Sequence, residues 1–294
     1  MKVLKFGGTS VGTVESLLNV KAIVESQTGQ VIVVVSALGG VTNQLIAMTE
    51  LADKGDHSYN GILTQVEQRH LDVIAGVVPQ SMQPTCRKIV KQFTTNLQSF
   101  YDTLAANQQL PEEERDMLAD TIVCHGEIMS SAIVTMMIGG AEPAFSPNFI
   151  KTRDAHGERM LDAPATERLI VEHLGHSDMA VRVIQGFIAA DAESGIKTNL
   201  GRGGSDFTAA LVAAALNADS LEIWTDVDGF YDKDPRTHAD AQLLAEMTYG
   251  EAQRLCDAGA KVIYAPTLRP VAEKHIPVWV KNTFNPQATG TVIR

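Results

Sequence analysis

The residues best placed for chemistry are a lysine ahead of a double glycine, an arginine set among glycines, and a few carboxylates in apolar surroundings. Val3-Leu4-Lys5-Phe6-Gly7-Gly8-Thr9-Ser10 reads as a short apolar strand that carries one lysine into a glycine turn. A helix follows, opening near Ser10 or Thr13, with Val14, Leu17, Leu18, Ala22 and Ile23 at helical spacing. Glycines let the backbone come close to a ligand, and the free N–H groups and dipole of a helix start face an anion. Lys5 adds a full positive charge beside them. Taken alone, the segment is equally an ordinary strand-to-helix turn with a solvent lysine, because Gly-Gly turns are common.

Two further turns share this form. The β-branched run Val31–Val35 ends in Ser36-Ala37-Leu38-Gly39-Gly40-Val41-Thr42-Asn43 and then a helix. Gly201-Arg202-Gly203-Gly204-Ser205-Asp206 precedes an alanine-rich helix expected over 207–216. Its glycines expose backbone donors, and Ser205 or Asp206 can cap the helix. Arg202 can grip a carboxylate with two parallel hydrogen bonds, and Asp206 could instead hold a lysine. In open α/β sheets, ligands bind where strands end and helices begin. Three such turns, with Lys5, Arg202 and Lys261 in or near anion-binding settings, are harder to dismiss than one.

Glu127, in Gly126-Glu127-Ile128-Met129-Ser130-Ser131, sits inside an apolar helical pattern. A carboxylate there pairs with a cation or holds a substrate amine, since an unpaired buried charge is costly; alone it also reads as an exposed helix glutamate. His125 beside it has no nucleophile or metal partner in the sequence and reads as structural. The loop from Thr225 and Asp226 through Tyr231 to Arg236 begins at a strand end and could offer an aromatic face to a base, with Arg236 near phosphates. Its aspartates lack the spacing and final glutamate of a calcium loop.

These parts must be carried by a chain of 294 residues, 45% hydrophobic and 20% charged, enough for one large domain or two lobes. A net charge of −11 argues against a nucleic-acid surface, which needs a basic face, but leaves room for cations focused in a cleft. Cys86, Cys124 and Cys256 form no CxxC pair, which fits a reducing cytoplasm rather than a disulfide framework or zinc site. The N-terminus does not read as a secretory signal, and no apolar run approaching the roughly 20 residues of a membrane span is expected. The P-loop pattern, a well-placed GxGxxG and the motifs of protein kinases are all absent.

Strand and helix patterns alternate, predicting an α/β fold with a largely parallel sheet. Residues 43–138 read as mainly helical, an elaboration around the sheet edge, with Pro111 opening an acidic first turn. Strands are expected at 144–145, 149–150, 181–184, 221–225 and finally 278–281, with 186–188 continuing or following the third. The last helix is expected over 249–258. A change of role is placed near residue 186.

Together the segments resemble the aspartate kinase family, within the wider amino acid kinase superfamily. The matching elements are Lys5–Val11, Ser36-Ala37 with Val41-Thr42-Asn43, Gly126-Glu127 with Ser130-Ser131, and Leu200–Asp206. They continue with Thr225–Gly229, Asp234-Pro235-Arg236 and Gly259-Ala260-Lys261-Val262. The helical block and Lys281–Pro286 look most like the kinase portion of bifunctional aspartate kinase–homoserine dehydrogenases. Asn199 departs from the threonine expected before the glycine-rich element.

The resemblance implies the amino acid kinase fold, an α/β/α sandwich with a largely parallel central sheet. It implies a single domain over 1–294, with an amino-acid-binding lobe (1–186) and a nucleotide-binding lobe (187–294). It implies ATP- and Mg2+-dependent phosphorylation of the side-chain carboxylate of L-aspartate, the entry to lysine, threonine and methionine synthesis, in a cytoplasmic homodimer that involves neither nucleic acid nor membrane. Lys5 would be the transition-state cation, with Asp206 orienting it and Gly7, Gly8 and Ser10 donating to phosphate oxygens. Arg202, Glu127, Thr42 and Ser205 would hold the substrate. Thr225, Asp226, Tyr231, Arg236, Lys261 and Val262 would line the nucleotide site. Mg2+ would bridge the phosphates and keep several waters, so no protein ligand is assigned to it. No ACT regulatory domain is read before Arg294, so no feedback inhibition is expected of the chain as given. The alternatives are another carboxylate kinase such as acetylglutamate kinase, and a nucleotide-binding regulatory module without turnover.

Overall fold

The run Val31–Val35 is buried at every position, as a parallel strand covered on both faces must be. A computed structural model of the chain describes residues 1–294 apart from 156, 157, 177–179, 234–236, 239 and 261. The described strands are β1 (Lys2–Phe6), β2 (Val31–Val35), β3 (Glu142–Ala144), β4 (Lys151–Ala155), β5 (Glu158–Leu161), β6 (Val181–Gln185), β7 (Ile188–Asp191), β8 (Lys197–Asn199), β9 (Ser220–Thr225), β10 (Glu246–Met247), β11 (Val278–Asn282) and β12 (Thr291–Ile293). The described helices are α1 (Val14–Glu25), α2 (Val41–Asp53), α3 (Tyr59–Val77), α4 (Gln83–Ala106), α5 (Glu112–Met137), α6 (Ala163–Leu174), α7 (Gly204–Ala215), α8 (Tyr249–Asp257) and α9 (Leu268–Glu273).

Eight strands form the central sheet in the order β10-β12-β11-β9-β1-β2-β6-β3. Every pairing in it is parallel except that of β11 with β12. The chain grows from β1 to β2 on one side and later returns to β9 on the other. The carboxyl ends of these strands therefore form a topological switch point, the place where open α/β sheets bind ligands. Leu4 and Phe6 pack into the core beneath α1–α5, whereas Val3 packs into the opposite core with α6, α7 and α9. Strand alternation puts Lys5 on the side of Val3, facing α7.

The helical block lies across one face of the sheet rather than around its edge. Its last helix, α5, runs against β2, β3 and β6 and also against β8, with α2 and α4 packed on its outer side. By length and composition alone α5 could cross a bilayer, contrary to the sequence expectation of no such run, but most of its apolar stretch is buried inside the fold. Here it is a core helix, and its consecutive buried residues from Ile122 to Ser131 reflect sheet on one side and helices on the other.

A second sheet, β5-β4-β7-β8, was not legible in the sequence. Its edge strand β5 and the neighbouring β4 are short, charged and mostly exposed or half-buried, so they lack an apolar alternation. Phe149-Ile150, expected as a strand, instead follows a 3-10 turn over Ser146–Asn148 and is buried in the core. Gly186-Phe187-Ile188 leads out of β6 into β7 of this second sheet. Beyond α8 the sequence reading missed α9 and β12, both of six residues or fewer. α1 is capped by Thr13 and Ser16 in a reciprocal capping box, one of its two expected starts.

Candidate active site

The three glycine turns meet over the carboxyl ends of β1 and β2. They border an open cleft of about 360 Å³ lined by Lys5, Gly8, Thr42, Glu127, Arg202, Ser205 and Asp206, among others. At its base the Lys5 ammonium sits 2.6 Å from Oδ1 of Asp206. This pairing needs α7 to begin earlier than the sequence suggests. α7 starts at Gly204, so Ser205 and Asp206 lie in its first turn and do not cap it. The cap is Gly203, in the left-handed region with φ 69°, which leaves the Asp206 carboxylate free for Lys5. The other Asp206 oxygen accepts a 3.4 Å bond from the Tyr264 N–H. Gly203 has a second constraint, because a Cβ there would lie 2.1 Å from the Tyr264 ring.

Glu127 enters from α5. It is 3% exposed and its Oε1 accepts the Ala37 N–H at 3.1 Å. Gly126 makes this reach possible, since a Cβ at 126 would stand 2.8 Å from the Ala37 methyl. The Glu127 Oε2 is buried with no partner among the described residues. Burial pushes the carboxyl up to about 8, although the Ala37 N–H pulls the other way. A lone oxygen beside a ligand-sized cleft can accept a cationic group that no described residue supplies. Arg202 is exposed, lines the same cleft and makes no ion pair among the described residues. Arg202 thus offers the site a cation and Glu127, once ionised, an anion, the complement of a carboxylate and an ammonium on one small molecule.

Other expected residues are placed differently. The Gly7 N–H donates to the Trp224 carbonyl at 3.2 Å. The Ser10 hydroxyl is fully buried, 3.2 Å from the same carbonyl and 2.7 Å from the hydroxyl of Thr283. Of the three residues expected to donate to phosphate, only Gly8 lines the cleft; Gly7 and Ser10 fasten the turn to β9 and to the segment after β11. Thr225 ends β9 and Asp226 follows it, both outside the cleft, with the Thr225 hydroxyl donating to Asp226 at 3.3 Å. Tyr231 is half-buried and bridges to Leu243, and burial raises its phenol. Val262 is also half-buried, two residues before Tyr264. Arg236 and Lys261 lie outside the described residues. His125 is structural, as expected: its Nδ1 is 2.8 Å from the Thr121 carbonyl and its ring meets Phe93 and Phe100 edge-on. The three cysteines are free thiols.

Sequence reasoning missed Phe187 and Arg69. Phe187 lines the cleft with φ 68°, unusual for a bulky residue, and its N–H donates to Thr208 on α7. Nothing in its sequence context signals that conformation. Arg69 lies on α3, within a segment that carries no motif.

The model of the amino acid kinase family matches residues 1–282. A bifunctional aspartokinase/homoserine dehydrogenase of Buchnera aphidicola subsp. Acyrthosiphon pisum is 32% identical over 100% of this chain and 36% of its own length. The lysine-sensitive aspartokinase 3 of Escherichia coli is 31% identical over 99% of this chain and 63% of its own. The chain therefore spans about a third to just under two thirds of these relatives. The crystal structure of E. coli aspartokinase III in complex with aspartate and ADP superposes with a TM-score of 0.88 at 31% identity, covering 100% of this chain and 64% of that one. The parallel sheet with its switch-point cleft, the paired lysine and aspartate, and the match over nearly its whole length agree: the chain belongs to the amino acid kinase family.

Proposed function

We propose that the chain is an aspartate kinase, transferring the γ-phosphoryl group of MgATP to the side-chain carboxylate of L-aspartate to give 4-phospho-L-aspartate and ADP. The observation that carries this reading is the cleft itself, lined beside the Lys5–Asp206 pair by Glu127 and Arg202, whose Oε2 and guanidinium have no ionic partner among the described residues. Glu127 receives the substrate ammonium and Arg202 a carboxylate. Thr42 and Ser205 complete the polar lining. An acetylated amine would bring no cation to Glu127, which disfavours an N-acetylated acid as substrate. The aspartokinase relatives, and the aspartate and ADP bound to the E. coli enzyme, support the same assignment.

The reacting carboxylate is already ionised at neutral pH, so the transfer needs no general base. One carboxylate oxygen forms a bond to the γ-phosphorus as the bond to the ADP oxygen breaks. The protein's part is alignment and charge compensation. Lys5 is held by Asp206 where it can neutralise charge shared between the two substrates. The nucleotide lies toward the loop after β9 and the Val262 segment, with Thr225, Asp226 and Tyr231 along it, and its Mg2+ arrives with the phosphates. In this reading the acid is gripped from both sides of residue 186, because Arg202 and Ser205 join Glu127 and Thr42. The chain works as a homodimer in the reading taken from its family.

The test is ADP release from MgATP with and without L-aspartate, with hydroxylamine to trap the acyl phosphate. Aspartate-dependent ADP release with aspartyl hydroxamate supports the reading. ATP binding without turnover would instead mark a nucleotide-binding module.

A further inference from the structure

The first two glycine turns touch through bare backbone. A Cβ on Gly39 would be 3.0 Å from the Gly8 carbonyl oxygen, and one on Gly8 would be 3.2 Å from the Ala37 carbonyl oxygen. Such a contact has no side chains to interlock and little area to bury, so it resists sliding poorly. Yet its geometry matters, because one turn follows the strand of Lys5 while the other leads to Thr42. A third element spans the junction. From α3, Arg69 Nη1 donates to the Gly39 carbonyl at 2.7 Å and Nη2 donates to the Gly12 carbonyl at 2.9 Å. The fork of the guanidinium matches two acceptors where a lysine could serve only one well.

The helix that carries Arg69 is itself fixed. Gly76, seven residues on and so on the same helical face, lies so close to α1 that a Cβ there would be 2.5 Å from a Val14 methyl. Between them His70, Leu71, Val73 and Ile74 are buried. Because a trans peptide sets C=O and N–H on opposite edges, holding the Gly39 carbonyl turns the Gly40 N–H away from Arg69. That N–H makes no hydrogen bond among the described residues, and Gly40 lines the cleft.

We propose that Arg69 is a positioning residue that locks the Lys5 turn to the Thr42 turn, fixing the gap across which the phosphoryl group moves and orienting the Gly39–Gly40 peptide. It touches neither substrate. Its effect on turnover rests on the kinase reading above, whereas its effect on the two turns does not.

The experiment compares Arg69→Met and Arg69→Lys with the unsubstituted chain by amide hydrogen exchange, thermal unfolding and steady-state kinetics. In Arg69→Met, exchange should quicken by about tenfold in peptides covering 7–13 and 36–43 while α7 stays as protected as before. The kcat should fall by about 10–100-fold, the scale of a small misplacement of reacting groups, with nucleotide Kd changed by less than about threefold. Arg69→Lys should lie between. Unchanged exchange in both turns of a folded Met variant overturns the proposal. So does a kcat within threefold of an active parent. If the parent does not turn over but the turns loosen on substitution, the clamp stands and the kinase reading falls. Should Arg69→Met fail to fold, Arg69→Lys decides by the same readings; failure of both to fold makes Arg69 a residue of stability and overturns positioning.

Discussion

Glu127 should make substrate affinity depend on pH in a range where free aspartate itself barely titrates. Its carboxyl is held at about 8 by burial, against 4.5 for an open chain. At pH 7 only about one tenth of empty sites then carry the carboxylate that an ammonium needs, a penalty of about 1.4 kcal/mol. The apparent aspartate KM should fall about tenfold per pH unit from 6 to 7.5 and level off above 8. Binding at pH 7 should also release close to one proton, measured as a buffer-dependent heat in calorimetry. The empty protein reports the same group in the opposite sense. Between pH 4.5 and 8 the folded state keeps a proton that the unfolded chain has lost, so this group's contribution to stability falls as pH rises, by up to about 1.4 kcal/mol per unit. Glu127→Gln keeps the shape and removes the titration. It should flatten that slope, stabilise the empty protein at pH 8, and raise the aspartate KM by about 100-fold or more through loss of the ammonium contact. A KM independent of pH between 6 and 7.5, with no proton release, would refute the argument that an uncompensated buried carboxylate waits there for a cation.

Other substitutions separate the remaining roles. Lys5→Ala should fold and bind nucleotide yet lose about 10²–10³-fold in kcat, the scale for one transition-state donor; near-normal turnover removes Lys5 from the chemistry. Arg202→Ala should raise the aspartate KM at a cost of about 1.5–3 kcal/mol, the range for a charged hydrogen bond, because Arg202 stands exposed in the empty cleft. An unchanged KM would sink that role. Gly203→Ala combines a left-handed backbone with a 2.1 Å approach to Tyr264. It should destabilise the fold by about 1–3 kcal/mol in urea titration and lower kcat by shifting Asp206; a variant as stable and active as the parent would show that neither constraint holds.

What could be read from the sequence followed the strength of local signals. β1, β2 and β9 are short, mostly apolar runs that lead into turns rich in glycine or aspartate, and their boundaries hold within a residue or so. Lys5, Arg202, Asp206 and Glu127 stand near glycines or inside apolar pattern, Thr42 enters through the family resemblance alone, and the cleft gathers all five. What failed were inferences from sequence adjacency. Ser10 follows Gly8 by two residues, yet its hydroxyl turns into the core toward Thr283, 273 residues away. Of the two readings left open for Asp206, the cap, a local act, is not found, whereas the hold on a lysine is, and that lysine comes from the other end of the chain. Arg69 bonds two backbone carbonyls, and a backbone acceptor leaves no trace in residue type.

The Lys5–Asp206 pair is a poor device for stability. Both side chains are nearly nine-tenths buried, and removing two charges from water offsets most of their attraction, so an apolar pair of the same shape would hold β1 to α7 as well or better. An exposed pair such as Arg168 with Glu172 costs little to keep and contributes little. A buried pair at the open end of the sheet, with its cation at the floor of a cleft, is better explained by what it does for a third charge. Asp206 holds Lys5 in place while the cleft is empty, and in the proposed reaction the arriving anions would share the lysine without the protein having to move it. Preorganisation of this kind avoids reorganisation at the moment of transfer. The same reasoning fits the proposed role of Glu127, whose Oε2 has no partner among the described residues and would take one from the ligand.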